Sequence, residues 1–194
     1  MNRLFLAPFA ALALAGCVQT VVSPVSVTRF SGSEPARLGD GSISVRAADG
    51  GNGLEFTAWK QAVAAELARL GYRVVENEVS GQVAEVRVER TALHAAPRRS
   101  PVNVGVGGST GSYGSGVGVG LGFDLSGPPP DVTANRLRVV IKDNGTGQAL
   151  WEGRAEFSAS TNSDYASAQA AADKMAAALF KGFPGESGAT IEVK

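Results

Sequence analysis

The apolar positions of this chain change period along its length, and each change marks a boundary between elements. Val25 and Val27, followed by Arg29-Phe30, suggest a first strand, and Ser42 to Ala47 alternates Ile43 and Val45 with polar neighbours as a second. The period then lengthens. Phe56, Trp59, Val63, Leu67 and Leu70 recur at spacings of three and four, one apolar stripe along a helix. Asn52 and Glu55 resemble a capping box at its start, and Gly71 supplies the residue that stops it.

Strand patterning returns in Tyr72 to Val79 and in Val83 to Leu93. In the second, Val86, Val88 and Ala92 oppose Glu85, Arg87 and Glu89, which gives one dry face and one wet face. Leu137, Val139 and Ile141 alternate with Arg136, Arg138 and Lys142. Asp143-Asn144-Gly145-Thr146-Gly147 reads as a hairpin turn, because Asn-Gly accepts the positive φ such turns need. The return strand, Leu150 to Phe157, carries Trp151, Ala155 and Phe157 on one face. Tyr165, Ala168, Ala172, Met175 and Leu179 form a second helical stripe, closed by Gly182 and Pro184. Thr190 to Val193 is either a short edge strand or a frayed end. This order predicts an α+β fold: a single domain with a mainly antiparallel sheet, two helices packed on one face, and a Gly/Val-rich β-hairpin.

The chain start follows a different logic. Arg3 precedes an eleven-residue apolar run, Leu4 to Leu14. That is long enough for a secretory leader and too short for the roughly 20 residues of a membrane-spanning helix. Directly behind it stands Leu14-Ala15-Gly16-Cys17, which resembles the lipobox of bacterial lipoproteins. The resemblance implies cleavage before Cys17, with Leu14, Ala15 and Gly16 read by the signal peptidase. It also implies a diacylglycerol and an amide-linked fatty acid such as palmitate on Cys17. Two or three acyl chains anchor a protein stably where one does not. Val18 stands where an Asp would favour retention in the inner membrane, so the periplasmic face of the outer membrane is the expected location. Residues 1–16 are thus a signal peptide, 17–25 a lipidated tether and 26–194 the envelope domain. The tether after Cys17 is short, with a reach of roughly 26 Å when extended.

Ten of the 25 glycines fall between Pro101 and Gly127. The flanking runs there have period two, with valines on one face and glycines on the other: Val104, Gly105 and Val106, then Val117, Gly118, Val119, Gly120 and Leu121. They read as a hairpin insert (101–127) with a Ser/Gly tip. Glycine weakens a strand, so the hairpin needs a neighbour: its own domain, a second copy or a membrane interface.

Composition narrows the chemistry. Across 194 residues, 18 Lys and Arg balance 18 Asp and Glu, which offers no basic face for nucleic acid. One cysteine excludes an internal disulfide or a Cys-based cluster. His94, the only histidine, cannot build a metal site by itself and reads as a surface or strand-end residue. Gly107 to Gly111 matches G-x-S-x-G around Ser109, but the motif needs a strand–turn–helix setting and a later His, and His94 precedes it. No P-loop or dinucleotide fingerprint occurs. Glu85 and Glu89 flank Arg87 on one face and read as a solvated ladder, and Trp59 reads as a core anchor and not a stacking platform. No cofactor, metal, catalytic residue or small-molecule substrate is expected.

Trp59 and Leu67, Gly71-Tyr72, Ala84-Glu85-Val86, the Val104 to Gly122 segment, Leu150-Trp151-Glu152-Gly153 and Phe183-Pro184 occur in this order behind the lipobox. As an ordered set they resemble the bacterial lipoproteins grouped as domain of unknown function 4136. The resemblance implies an α+β domain in the cell envelope and no catalytic residues. The expected function is a lipid-anchored, non-enzymatic binding or scaffolding module that meets another envelope protein, or itself, through a sheet edge or the glycine hairpin. The alternative is membrane insertion or self-assembly through that hairpin.

Overall fold

The computed structural model describes residues 19–32, 37–50, 53–76, 80–94, 102–111, 114–123 and 130–194. The chain divides into two compact units, one of residues 20–95 with 130–194 and one of residues 1–19 with 96–129. The first contains strands β1 (Val25–Ser31), β2 (Ser42–Ala47), β3 (Arg73–Val74) and β4 (Gln82–Leu93), with helix α1 (Leu54–Arg69) between β2 and β3. The second contains β5 (Val102–Gly111) and β6 (Gly114–Phe123). Back in the first unit follow β7 (Val132–Asp143), β8 (Ala149–Ser160), helix α2 (Ala168–Phe180) and β9 (Thr190–Val193).

The fold is α+β, and its seven-stranded sheet has the order β3-β2-β4-β7-β8-β1-β9. The sheet is mixed. β2 runs parallel to both β3 and β4, while the remaining neighbours pair antiparallel. Helix α1 causes this: a helical crossover after β2 returns the chain to the same end of the sheet, which makes the next strands parallel. The strand expected over Tyr72 to Val79 is reduced to Arg73–Val74. Tyr72 instead turns into the core, 4% exposed. Helix α1 begins behind Gly53 with no side-chain cap, so Glu55 does not close a capping box; Asn52 lies outside the described residues. Thr190–Val193 is a true edge strand on β1.

Alternation along each strand sends one set of side chains under the helices. Val27, Val45, Ala84, Val86, Val139, Ile141 and Phe157 from the sheet meet Trp59, Val63 and Leu67 of α1 and Met175 and Leu179 of α2 in one buried cluster. The alanines Ala171, Ala172 and Ala176 let α2 lie close to this surface.

The tightest point is at Gly153. A Cβ there would lie 2.2 Å from Trp151 Cη2 and 2.8 Å from Leu179 Cδ1, so the missing side chain is the space the indole occupies. The indole N–H of Trp151 donates to the Pro184 carbonyl at 2.9 Å, and its ring stacks on Phe180 and tilts against Phe183, with centroids 5.5 and 5.1 Å away. Directly across from Gly153 stands Arg29. Its buried guanidinium donates to the carbonyls of Ala178, Leu179 and Lys181. Those are end-of-helix acceptors with no partner inside α2, and they lie at the negative end of the helix dipole. Burial lowers the Arg29 pKa from its ordinary value.

The β7–β8 turn is fixed by Asp143, which accepts from the backbone N–H groups of Gly145 and Thr146 and the Thr146 hydroxyl, and pairs with Arg37. The Thr146 amide first, then Arg37, hold the Asp143 carboxyl down at about 2.

Two outcomes follow from these packing facts. Gly153→Ala overfills the notch and should cost about 1–3 kcal/mol, read from urea unfolding. Because the Asp143 pKa is depressed on folding, its contribution is complete above the ordinary carboxylate range and is lost as pH falls toward 2. Wild type and Asp143→Asn should therefore differ in stability at pH 6 and converge near pH 2, with pH-dependent unfolding as the measurement.

Candidate functional site: an open edge on β4

β4 has twelve residues and β2 only six. β2 covers β4 from Gln82 to Val86 and then stops. The last bond of the pairing runs from the Ala48 N–H to the Val86 carbonyl, 2.9 Å. With the period of two, the backbone groups of Val88, Arg90 and Ala92 face the same side as those of Val86. On the opposite side β4 stays paired with β7 through Leu93. Among the described residues no strand continues where β2 ends, so the outer half of β4 is an open edge held rigid by its other neighbour.

A hollow of about 250 Å³ lies beside that edge, lined by Asp49, Gly53, Glu55, Phe56, Trp59, Val86, Arg87, Val88 and Arg90. Arg90 organises one wall. Its Nη1 donates to Glu55 at 2.6 Å, its Nε to the Asn135 side-chain oxygen at 2.8 Å, and its Nη2 to the Ala166 carbonyl at 3.2 Å. The start of α1 is thereby tied to the sheet and to the loop before α2. Trp59 forms the floor. It is fully buried, as a core anchor should be, yet among the described residues its indole N–H has no hydrogen-bond partner. A buried donor left unpaired costs roughly 1–3 kcal/mol, so native proteins seldom keep one without cause.

The sheet face away from the helices carries charge in rows. Arg87, Arg138 and Arg154 are direct cross-strand neighbours on β4, β7 and β8. Glu152 accepts from Arg138 at 2.8 and 2.9 Å and from Arg154 at 2.7 Å. The Arg138 hydrogen bonds chiefly lower the Glu152 pKa, against partial burial. Burial alone would raise the Glu85 carboxyl, but hydrogen bonds from Lys142 and Arg46 outweigh it and leave the pKa lowered. Glu89 approaches Arg136 at 3.8 Å. Both glutamates thus sit within a charge-paired ladder. Arg87 is exposed and has no carboxylate partner among the described residues.

Cys17 and the residues Leu14, Ala15 and Gly16 lie outside the described residues. In the second unit, β5 and β6 pair antiparallel with Val104 opposite Leu121, Gly105 opposite Gly120, Val106 opposite Val119, and Val117 opposite Gly108. Ser109 lies within β5, opposite Gly116, and β6 rather than a helix follows it. His94 stands exposed at the end of β4, its Nδ1 3.2 Å from Asp131. Among the described residues no three His, Cys, Asp or Glu side chains converge on a metal position, and no helix is long and apolar enough to cross a membrane.

Sequence reasoning expected a sheet edge without placing it on β4, and it missed the orphan indole and the Arg29 cap. The edge alone left a trace, in the unequal lengths of the alternating runs at Ser42 to Ala47 and Val83 to Leu93.

A mixed sheet covered on one face by two helices, with a half-open strand beside the first helix, defines an α+β module. The chain belongs to the family described as domain of unknown function DUF4136, whose model matches residues 29–185. It is similar to an uncharacterized protein of Zymomonas mobilis, 28% identical over 88% of this chain and 80% of that protein. Among solved structures it is similar to a PDZ domain protein from Parabacteroides distasonis, with 12% identity and a TM-score of 0.49. That match covers 90% of this chain but only 38% of the other. A PelC dodecamer from Paraburkholderia phytofirmans matches with 12% identity and a TM-score of 0.47, over 84% of this chain and 99% of the other.

Proposed function

We propose that this protein is a lipid-anchored, non-catalytic module of the cell envelope. It is held at the periplasmic face of the outer membrane by acyl chains on Cys17, and it binds an envelope protein by strand addition to the open edge of β4. The observation that carries this reading is the uncovered stretch of β4 beyond Val86. Its outward backbone groups form a ready template for an extended segment, and the paired β7 side keeps that template straight. The setting of Ser109 supports the non-catalytic part, since a strand leading into a second strand lacks the strand–turn–helix elbow a nucleophilic serine needs. The leader and lipobox support the anchor, and the short tether keeps the edge within reach of membrane-bound partners.

Two measurements test the two halves. Growth with an alkyne analogue of palmitate should label the wild type and not Cys17→Ala, and the variant should leave the membrane fraction. A photo-crosslinker at Thr91 should give a discrete adduct in intact cells. Ala92→Pro removes one outward N–H without touching a β4–β7 bond and should abolish that adduct, whereas equal yield from this variant contradicts strand addition.

A further inference from the structure

The chain joins the sheet before β1 begins. The Val21 carbonyl accepts from the Ser160 N–H at 2.8 Å, the Val21 N–H donates to the Ser160 hydroxyl at 3.1 Å, and Val22 bridges to Ala159. Val21 stands four residues after Cys17, a reach of roughly 13 Å when extended. β8 alone has twelve residues, so the two ends of its sheet lie roughly 40 Å apart. An anchor on Cys17 therefore brings one particular end of the first unit to the membrane. Ser160 lies opposite Val132 on β7, and Val132 opposite Leu93 on β4, so Leu93 ends the same row that Val21 begins. β2 finishes at this end too, because it runs parallel to β4, and α1 starts from there. Helix side chains lean toward the helix N-terminus, so Leu54, the first residue of α1 and 95% exposed, leans off the same end. Val21, Val22, Leu54 and Leu93 are four of the six large apolar side chains exposed among the described residues. The opposite end presents Arg37, Asp40, Asn144, Lys181 and Glu186, all exposed. Charges at the apolar end are offset by pairing, Glu55 with Arg90 and Asp131 with His94.

We propose that this end of the first unit is a membrane-contact face, with Val21, Val22, Leu54 and Leu93 seated in the headgroup region and the strands pointing away from the bilayer. This deepens, and rests on, the reading of Cys17 as acylated. Single apolar side chains on a surface carry no message, but here four of them share the end that the short tether delivers to lipid. Acyl chains give residence at a membrane and leave a tethered domain free to turn; the apolar contacts fix its orientation. Because the charges are offset, the contact is apolar and needs no anionic lipid. The overhang of β4 runs toward this face and ends on it at Leu93, so the open edge is held beside the membrane surface.

The test reconstitutes the full acylated protein in phosphatidylcholine vesicles with one fluorophore per molecule. Labels go on Leu54→Cys or Leu93→Cys at the proposed face, and on Asn144→Cys or Lys181→Cys at the other end. All four positions are exposed, so the fold tolerates them, and acylation blocks Cys17 from the label. Nitroxide-bearing lipids should quench the labels at 54 and 93 and leave those at 144 and 181 bright. Leu54→Ser should lower the ratio of membrane-facing to free orientations about tenfold, read as lost quenching at Leu93→Cys, while the protein stays with the vesicles. Adding phosphatidylglycerol should leave the pattern unchanged; quenching that appears only with this anionic lipid overturns the apolar contact. Vesicle-bound protein quenched equally at both ends, or at neither, overturns the face and leaves the anchor standing. If Cys17 carries no acyl chain and the protein does not float with the vesicles, the anchor reading fails and the face fails with it.

Discussion

The sheet and its second helix meet at a place where a side chain is missing. Trp151 and Gly153 lie on the same face of β8, and the indole folds over the glycine into the space a Cβ would take, against Leu179 of α2. One strand away, Arg29 reaches the last carbonyls of that helix. A large ring, an absent side chain and a buried cation thus fix where α2 ends and how the following segment returns to β9. Among the described residues no carboxylate pairs with this buried charge. Its compensation is the oriented carbonyls of a helix end, and this is why the charge can lie buried.

With α2 fixed, the helix layer leaves the two ends of the sheet in different conditions. At one end the short strand β9 lies on β1, and at the other β2 covers only half of β4. Natural sheets usually blunt such edges with short strands, charges or bulges. The overhang of β4 is seven residues long, counted from Arg87 to Leu93. Arg87, Glu89 and Thr91 put polar side chains on its exposed face, with Leu93 an exposed apolar residue at its end, while the backbone stays accessible. The helix start, the orphan indole and the clamp made by Arg90 all gather beside this one stretch. The open edge with the hollow beside it is the feature on which the proposed strand addition rests.

Much of this architecture is legible in the amino-acid pattern. The stripe from Phe56 to Leu70 and the alternation from Leu137 to Phe157 place both the first helix and the central strand pair, because burial imposes those periods directly. The alanine-rich stripe up to Leu179 does the same for the second helix. Strand direction is not written in a period, so the parallel pairing of β2 emerges only from the crossover through α1. Tyr72 follows a helix stop and precedes valines, which suits a strand, but its ring is drawn under the sheet and the strand shrinks to two residues. Gly153 and Arg29 carry no signal of their meeting, since it depends on side chains from three elements. Trp59 was legible as a core residue. That its N–H would lack a partner depends on the absence of any acceptor nearby, and no sequence position encodes an absence.

The central claim is that β4 offers a free backbone edge from Val88 to Ala92 in the protein by itself. Residue-resolved amide hydrogen exchange on the purified protein tests this most directly. The amides of Val88, Arg90 and Ala92 should exchange far faster than those of Arg87, Glu89 and Thr91, which alternate with them and face β7. Uniform protection across residues 87–92 would contradict the account, for it would mean that the edge is already covered.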